Sequence, residues 1–90
     1  IRGGCMKIVF ISTPNNSEKE LDHIKELITK YYGRVRFITS SEDCKYDESD
    51  CLEMLSTVDM AFFALDWQLS ERCIFEHSMC KTLGIEIIRE

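Results

Sequence analysis

Apolar residues fall in two alternating rhythms along the chain. Residues 6–12, MKIVFIS, form a continuous apolar, β-branched run, the signature of a strand buried on both faces of a parallel sheet. TPNN follows, and its proline and asparagines are turn residues. Ser17 and Glu20 make a capping box that opens a helix over EKELDHIKELITKYY. Leu21, Ile24, Leu27, Ile28 and Tyr31 line one face of that helix, and Gly33 stops it. RVRFIT, residues 34–39, alternates polar and apolar, as a strand with one less-covered face does. Residues 40–49 are polar and read as a loop. A short helix is predicted at 50–57, with Leu52 and Leu55 inward. VDMAFFAL, residues 58–65, is the most apolar strand and belongs at the sheet centre. DWQLS reads as a loop, and Ser70 as the N-cap of a helix from Glu71 to Leu83, with Glu71 at its positive end. Gly84 ends this helix, and IEII, residues 85–88, is a last short strand.

Strands and helices thus alternate β-α-β-α-β-α-β. That order predicts an α/β fold of three layers, with a parallel four-stranded sheet and helices on both faces. Right-handed crossovers make it flavodoxin-like or Rossmann-like, with strand order 2-1-3-4. There is no internal repeat, low-complexity segment or linker, so residues 6–90 read as one domain. Residues 1–5, IRGGC, precede a methionine and are set aside as an upstream extension or a non-native remnant. Ligands bind such sheets at the carboxyl ends of the strands. Here those ends are the loops STPNN, TSSED and DWQLS.

Composition narrows the picture. A chain of 90 residues has a modest core. Self-association would enlarge it, and a homodimer is the expectation. With 44% hydrophobic and 30% charged residues, the chain is globular rather than disordered. Its longest strongly apolar run, Met60 to Leu65, is far short of the roughly 20 residues that span a bilayer. No basic segment precedes a long apolar one, so no signal peptide is read, and no membrane role. The net charge of −5 argues against binding a nucleic-acid polymer, although Arg34 and Arg36 could meet a single phosphate. The five cysteines include no CxxC pair and read as reduced thiols of a cytoplasmic protein.

One residue breaks the pattern of its element. On a helical wheel Glu76 falls among Cys73, Met79, Cys80 and Leu83, with Arg72 beside it. A buried, unpaired carboxylate costs several kcal/mol, so Glu76 needs a partner or a purpose. Cys73, His77 and Cys80 share that helix as C-x3-H-x2-C and could hold zinc with a fourth ligand from elsewhere, such as Cys44 or Cys51. Ordinary buried core thiols are the simpler reading, and no metal or cofactor is expected. No thiol has a base and an orienting group beside it in sequence, which disfavours a cysteine nucleophile. Neither GxGxxG nor GxxxxGK[ST] occurs, so dinucleotide and P-loop binding lack a motif.

Two segments carry a resemblance: KIVFISTP, and STVDMAFFALDWQLSERCIFEHSMCKTLGIEII. They resemble the nucleoside 2-deoxyribosyltransferase-like superfamily, especially its small members of about this length. Ser12 and Pro14 fit its first-strand motif. Asp59, Leu65, Trp67, Ser70, Glu76, Leu83 and Gly84 fit its second. The likeness spans most of the chain, apart from residues 1–5 and the 40–50 loop. It implies that Glu76 attacks the anomeric carbon of a nucleoside or nucleotide, releasing the base and leaving a covalent glycosyl-enzyme, by the logic of retaining glycosidases. Ser70 and Asp50 are the other implied catalytic residues. Ser12, Thr13, Pro14, Asp66, Trp67 and Arg72 would bind substrate. The departures are Thr13 for a glycine and Arg72-Cys73 for Gly-Ala. Arg72 could bind a phosphate, block close approach, or pair with Glu76 one turn away and silence it. Ser70 stands where transferases carry an acid, which favours hydrolysis over transfer. Asp50 matches the family's preceding-helix acid with an offset of about one residue. The rival expectation is a non-catalytic nucleotide-binding or protein-interaction domain of the same fold.

Overall fold

A computed structural model describes residues 7–14, 17–39 and 48–90, with backbone alone at 48–50. The expectations for residues 1–5, for the Asn15-Asn16 turn and for the polar loop at 40–47 lie outside the described residues. The elements run β1 (Ile8–Ser12), α1 (Glu18–Tyr32), β2 (Arg36–Thr39), α2 (Glu48–Leu55), β3 (Met60–Phe63), a 3-10 turn (Trp67–Leu69), α3 (Glu71–Leu83) and β4 (Glu86–Arg89). The four strands form one parallel sheet in the order β2-β1-β3-β4. The register sets Ile11 beside Thr39 and Phe62, and Phe62 beside Ile88.

Alternation along the strands splits the core into two apolar layers. Val9, Ile11, Met60 and Phe62 pack with Ile24 and Ile28 of α1 on one face. Phe10, Ala61 and Phe63 pack with Cys51 and Leu55 of α2 and with Met79 and Cys80 of α3 on the other. Helices on both faces of a parallel sheet make the three-layer α/β architecture. β1 and β3 are central, so their carboxyl ends, at Ser12 and Phe63, lie side by side where the next elements begin.

Local chemistry sets the boundaries. The Ser17 hydroxyl accepts from the Glu20 amide at 3.2 Å and caps α1. Gly33 ends it, and its amide donates to the Thr29 carbonyl. α2 begins and ends two residues earlier than the sequence suggested. The hydroxyls of Ser56 and Thr57 fold back onto the Glu53 and Met54 carbonyls and occupy the acceptors a further turn would use. β3 is shorter than the apolar run 58–65, because the Val58 amide still bonds to Leu55 of the preceding helix. Asp59 pins the sheet's lower edge, its carboxylate accepting from the Ile8 amide at 2.7 Å. Tyr31, expected on the inward face of α1, is 72% exposed. Among the described residues α1 is alone on its face, and it leaves an open apolar shelf of about 440 Å³ bordered by Leu27, Tyr31, Tyr32, Phe62 and Ile88. No described helix is long and apolar enough to cross a membrane.

Candidate active site at the carboxyl edge of the sheet

Glu76 is buried, with 3% of its surface exposed, as the helical wheel required. Ser12, the last residue of β1, and Thr13, which follows it, are also buried. The Ser12 hydroxyl donates to Glu76 Oε1 at 2.8 Å. Arg72, one turn earlier on α3, reaches the same oxygen from Nη1 at 3.4 Å, and its Nη2 donates to the Thr13 carbonyl. The four residues close a ring that fastens α3 to the end of β1. N–H contacts to a carboxylate are usually about 2.7–2.9 Å, so Arg72 at 3.4 Å is the looser donor and the Ser12 hydroxyl at 2.8 Å the closer one. Together they offset the desolvation that an unpartnered carboxylate would suffer here.

The start of α3 is built as the sequence predicts. The Ser70 hydroxyl accepts from the Cys73 amide at 3.3 Å, and Glu71 occupies the first turn. A 3-10 turn joins β3 to this cap. Its leading residue, Asp66, has φ of 70°, the left-handed conformation that costs a residue with a Cβ roughly 1–2 kcal/mol. Beside the ring lies an open cleft of about 330 Å³, lined by Thr13, Pro14, Glu20, Leu65, Asp66 and Leu69.

The proposed site residues therefore divide. Thr13, Pro14 and Asp66 line the cleft. Ser12, Arg72 and Glu76 do not line it; they form the ring with Thr13, the Arg72 guanidinium turned to Glu76 and to the Thr13 carbonyl. Ser70 caps the helix. Trp67 does not border the cleft; it stacks on His77 at 4.1 Å with 11° between the rings. Asp50 belongs to α2, and its side chain lies outside the described residues.

Three features of the site were not read from the sequence. Glu20, the glutamate of the capping box, also lines the cleft. Its place in the first helical turn after a strand-end loop was the available signal. Leu65 and Leu69 border the cleft as exposed apolar residues. His77 is buried with Cys73, Glu76, Met79 and Cys80, whereas Leu83, expected on the same inward stripe, is 40% exposed in the last turn of α3. Burial, with Cys51 and Glu76 nearby, pushes the Cys80 thiol up to about 12, which keeps it protonated and unreactive at neutral pH. Among the described residues no group of three or more His, Cys, Asp or Glu side chains could hold a metal ion.

No family model matches this chain, and neither a curated protein nor a solved structure matches it.

Proposed function

We propose that the carboxyl edge of β1 and β3 is a site for cleaving the N-glycosidic bond of a nucleoside, with Glu76 as nucleophile. The observation that carries this reading is the ring of Ser12, Glu76, Arg72 and Thr13. It is a buried carboxylate oriented by a hydroxyl and a guanidinium, joined through Thr13 to a cleft at the ligand-binding edge of a parallel sheet. Arg72 is the looser partner, and 14% of its side chain is exposed. It can swing toward solvent as the sugar approaches. Glu76 then forms a bond to the anomeric carbon while the C–N bond breaks and its electron pair leaves with the base. An acid protonates the base. Asp50 is the candidate that the family resemblance offers, and Asp66 and Glu20 are carboxylates at the cleft itself. Water then cleaves the glycosyl ester, returning the carboxylate and releasing the sugar. Ser70, standing where a transferase would carry an acid, favours water over a second base as acceptor.

The charges at this edge favour an uncharged nucleoside over a nucleotide. Glu20 and Asp66 line the cleft, and Glu18, Glu20 and Glu71 occupy the first turns of α1 and α3. Acidic side chains there oppose the attraction of a helix start for phosphate. The one guanidinium of the ring faces inward.

A second reading has its own support. Glu76 is 3% exposed and already paired with Arg72. A permanent pair would make the ring a strut in a nucleotide-binding or interaction domain without catalysis. Incubation with deoxynucleosides and their 5′-monophosphates separates the two. Release of free base that is abolished by Glu76→Gln supports the nucleophile. Binding without release supports the strut. A cytoplasmic homodimer remains part of the proposal; its support is the small core and the half-covered sheet face beside α1, and sedimentation over a concentration series tests it.

A further inference from the structure

The acidic edge that disfavours a phosphate also bears on which base the cleft can hold. Glu20 and Asp66 line it, and among the described residues no lysine, arginine or aromatic side chain does. Trp67, which could have stacked on a base, lies flat on His77 instead. The Arg72 guanidinium is bonded to Glu76 and to the Thr13 carbonyl. Leu65 and Leu69, both exposed, flank a flat ligand without distinguishing one base from another. The two carboxylates are therefore the groups that discriminate. Ionised carboxylates accept hydrogen bonds and donate none. Glu18 and Glu71, in the first turns of α1 and α3, add to their field, against Lys19 and the engaged Arg72.

We infer that the substrate class of this site is a nucleoside whose base carries a positive charge, such as an N-alkylated purine. The inference rests on Glu76 as nucleophile and names the base it releases. Its second support is the proton that a neutral base needs. The general acid of a glycosidase is a carboxyl kept protonated by burial. Asp66 is exposed and Glu20 half-buried, so neither has that setting. A cationic base removes the requirement. As Glu76 bonds to the anomeric carbon, the C–N bond breaks and its electron pair neutralises the ring, which leaves as a neutral base. Water then cleaves the glycosyl ester, giving the free sugar, the Glu76 carboxylate and one proton. The same two carboxylates that are poorly placed as acids are well placed to hold the cation before the bond breaks.

The test separates charge from shape by using N7-methyl-2′-deoxyguanosine and its neutral 7-deaza-7-methyl analogue, in mildly acidic buffer where the methylated base keeps its charge. Binding of each is measured by calorimetry on the full chain carrying Glu76→Gln, which keeps the cleft and lacks the nucleophile. The cation should bind roughly five- to tenfold more tightly, as two charge contacts near the surface allow. Adding Glu20→Gln and Asp66→Asn should reduce the gap to about twofold or less, as losing those two contacts requires. Both changes suit their positions, since Gln serves in a capping box and Asn adopts the left-handed conformation. The unsubstituted protein should release 7-methylguanine faster than the protein-free control, and Glu76→Gln should not.

Equal binding of the two nucleosides, or a preference that survives Glu20→Gln/Asp66→Asn in a protein with unchanged circular dichroism, would overturn the inference alone and leave the nucleophile standing. Failure to release base from the methylated nucleoside and from plain deoxynucleosides alike, or release that continues in Glu76→Gln, would overturn the nucleophile and this inference with it.

Discussion

Glu76 and Arg72 cannot be treated as a pair of equals. Glu76 is the more buried partner, and it keeps the Ser12 donor if Arg72 is lost. Arg72→Met should therefore leave a carboxylate that is buried but still bonded to the Ser12 hydroxyl, at a cost of about 3 kcal/mol, the lower end for breaking a buried pair. Urea denaturation measures this directly. Glu76→Gln keeps the shape and an acceptor for the Ser12 hydroxyl, so it should cost less stability than Arg72→Met while removing the nucleophile. The double substitution Arg72→Met/Glu76→Met should be less destabilising than the sum of its singles, because neither leaves a stranded charge for the other to aggravate. Additive losses would mean that the ring contributes no coupling.

At the scale of elements, α3 shows what could and could not be read in advance. Its limits, Glu71–Leu83, follow from two local signals, the Ser70 cap and Gly84. Gly84 has φ of 72° and open space around the position of a Cβ, so Gly84→Ala adds backbone strain and no clash. The expected cost is about 1 kcal/mol, with Gly84→Asn milder, as thermal denaturation of the two variants would show. Ser70→Ala should cost about 1 kcal/mol by freeing the Cys73 amide. The inward stripe was legible because helical periodicity is local. The partners of that stripe were not, since Ser12 lies 64 residues from Glu76 and their bond depends on where two crossovers bring β1 and α3. The same limit explains Trp67. Its position in a strand-end loop suggested a ligand platform, but the ring lies flat on His77, and no sequence pattern carries that direction. α1 was legible in its limits but not in the exposure of Tyr31, because periodicity says which face is apolar and not how far the sheet extends beneath it.

The whole molecule is a thin sheet with unequal covers. α2 and α3 close one face, and α1 covers part of the other, so stability rests on the β1 and β3 residues between them. Phe63 is fully buried and also touches Trp67 and His77. Phe63→Ala should cost about 3–5 kcal/mol, a large part of the 5–15 kcal/mol that holds a typical domain together. Calorimetry of that variant should show a collapse of the thermal transition, and a change of less than 1 kcal/mol, the scale of a surface substitution, would contradict the packing described here. Strand order, layers and the position of the carboxyl edge follow from the β-α alternation and the right-handed crossover, so architecture was legible where the detailed site was not. The claim on which the functional reading depends is that Glu76 becomes covalently bonded to sugar. Intact and peptide mass spectrometry of the acid-quenched protein after incubation with a deoxynucleoside tests it most directly. The account predicts the mass of one deoxyribosyl group on the peptide that contains Glu76, accompanied by free base, with neither in Glu76→Gln. Base release that continues in Glu76→Gln, or a sugar adduct on any other residue, would contradict it.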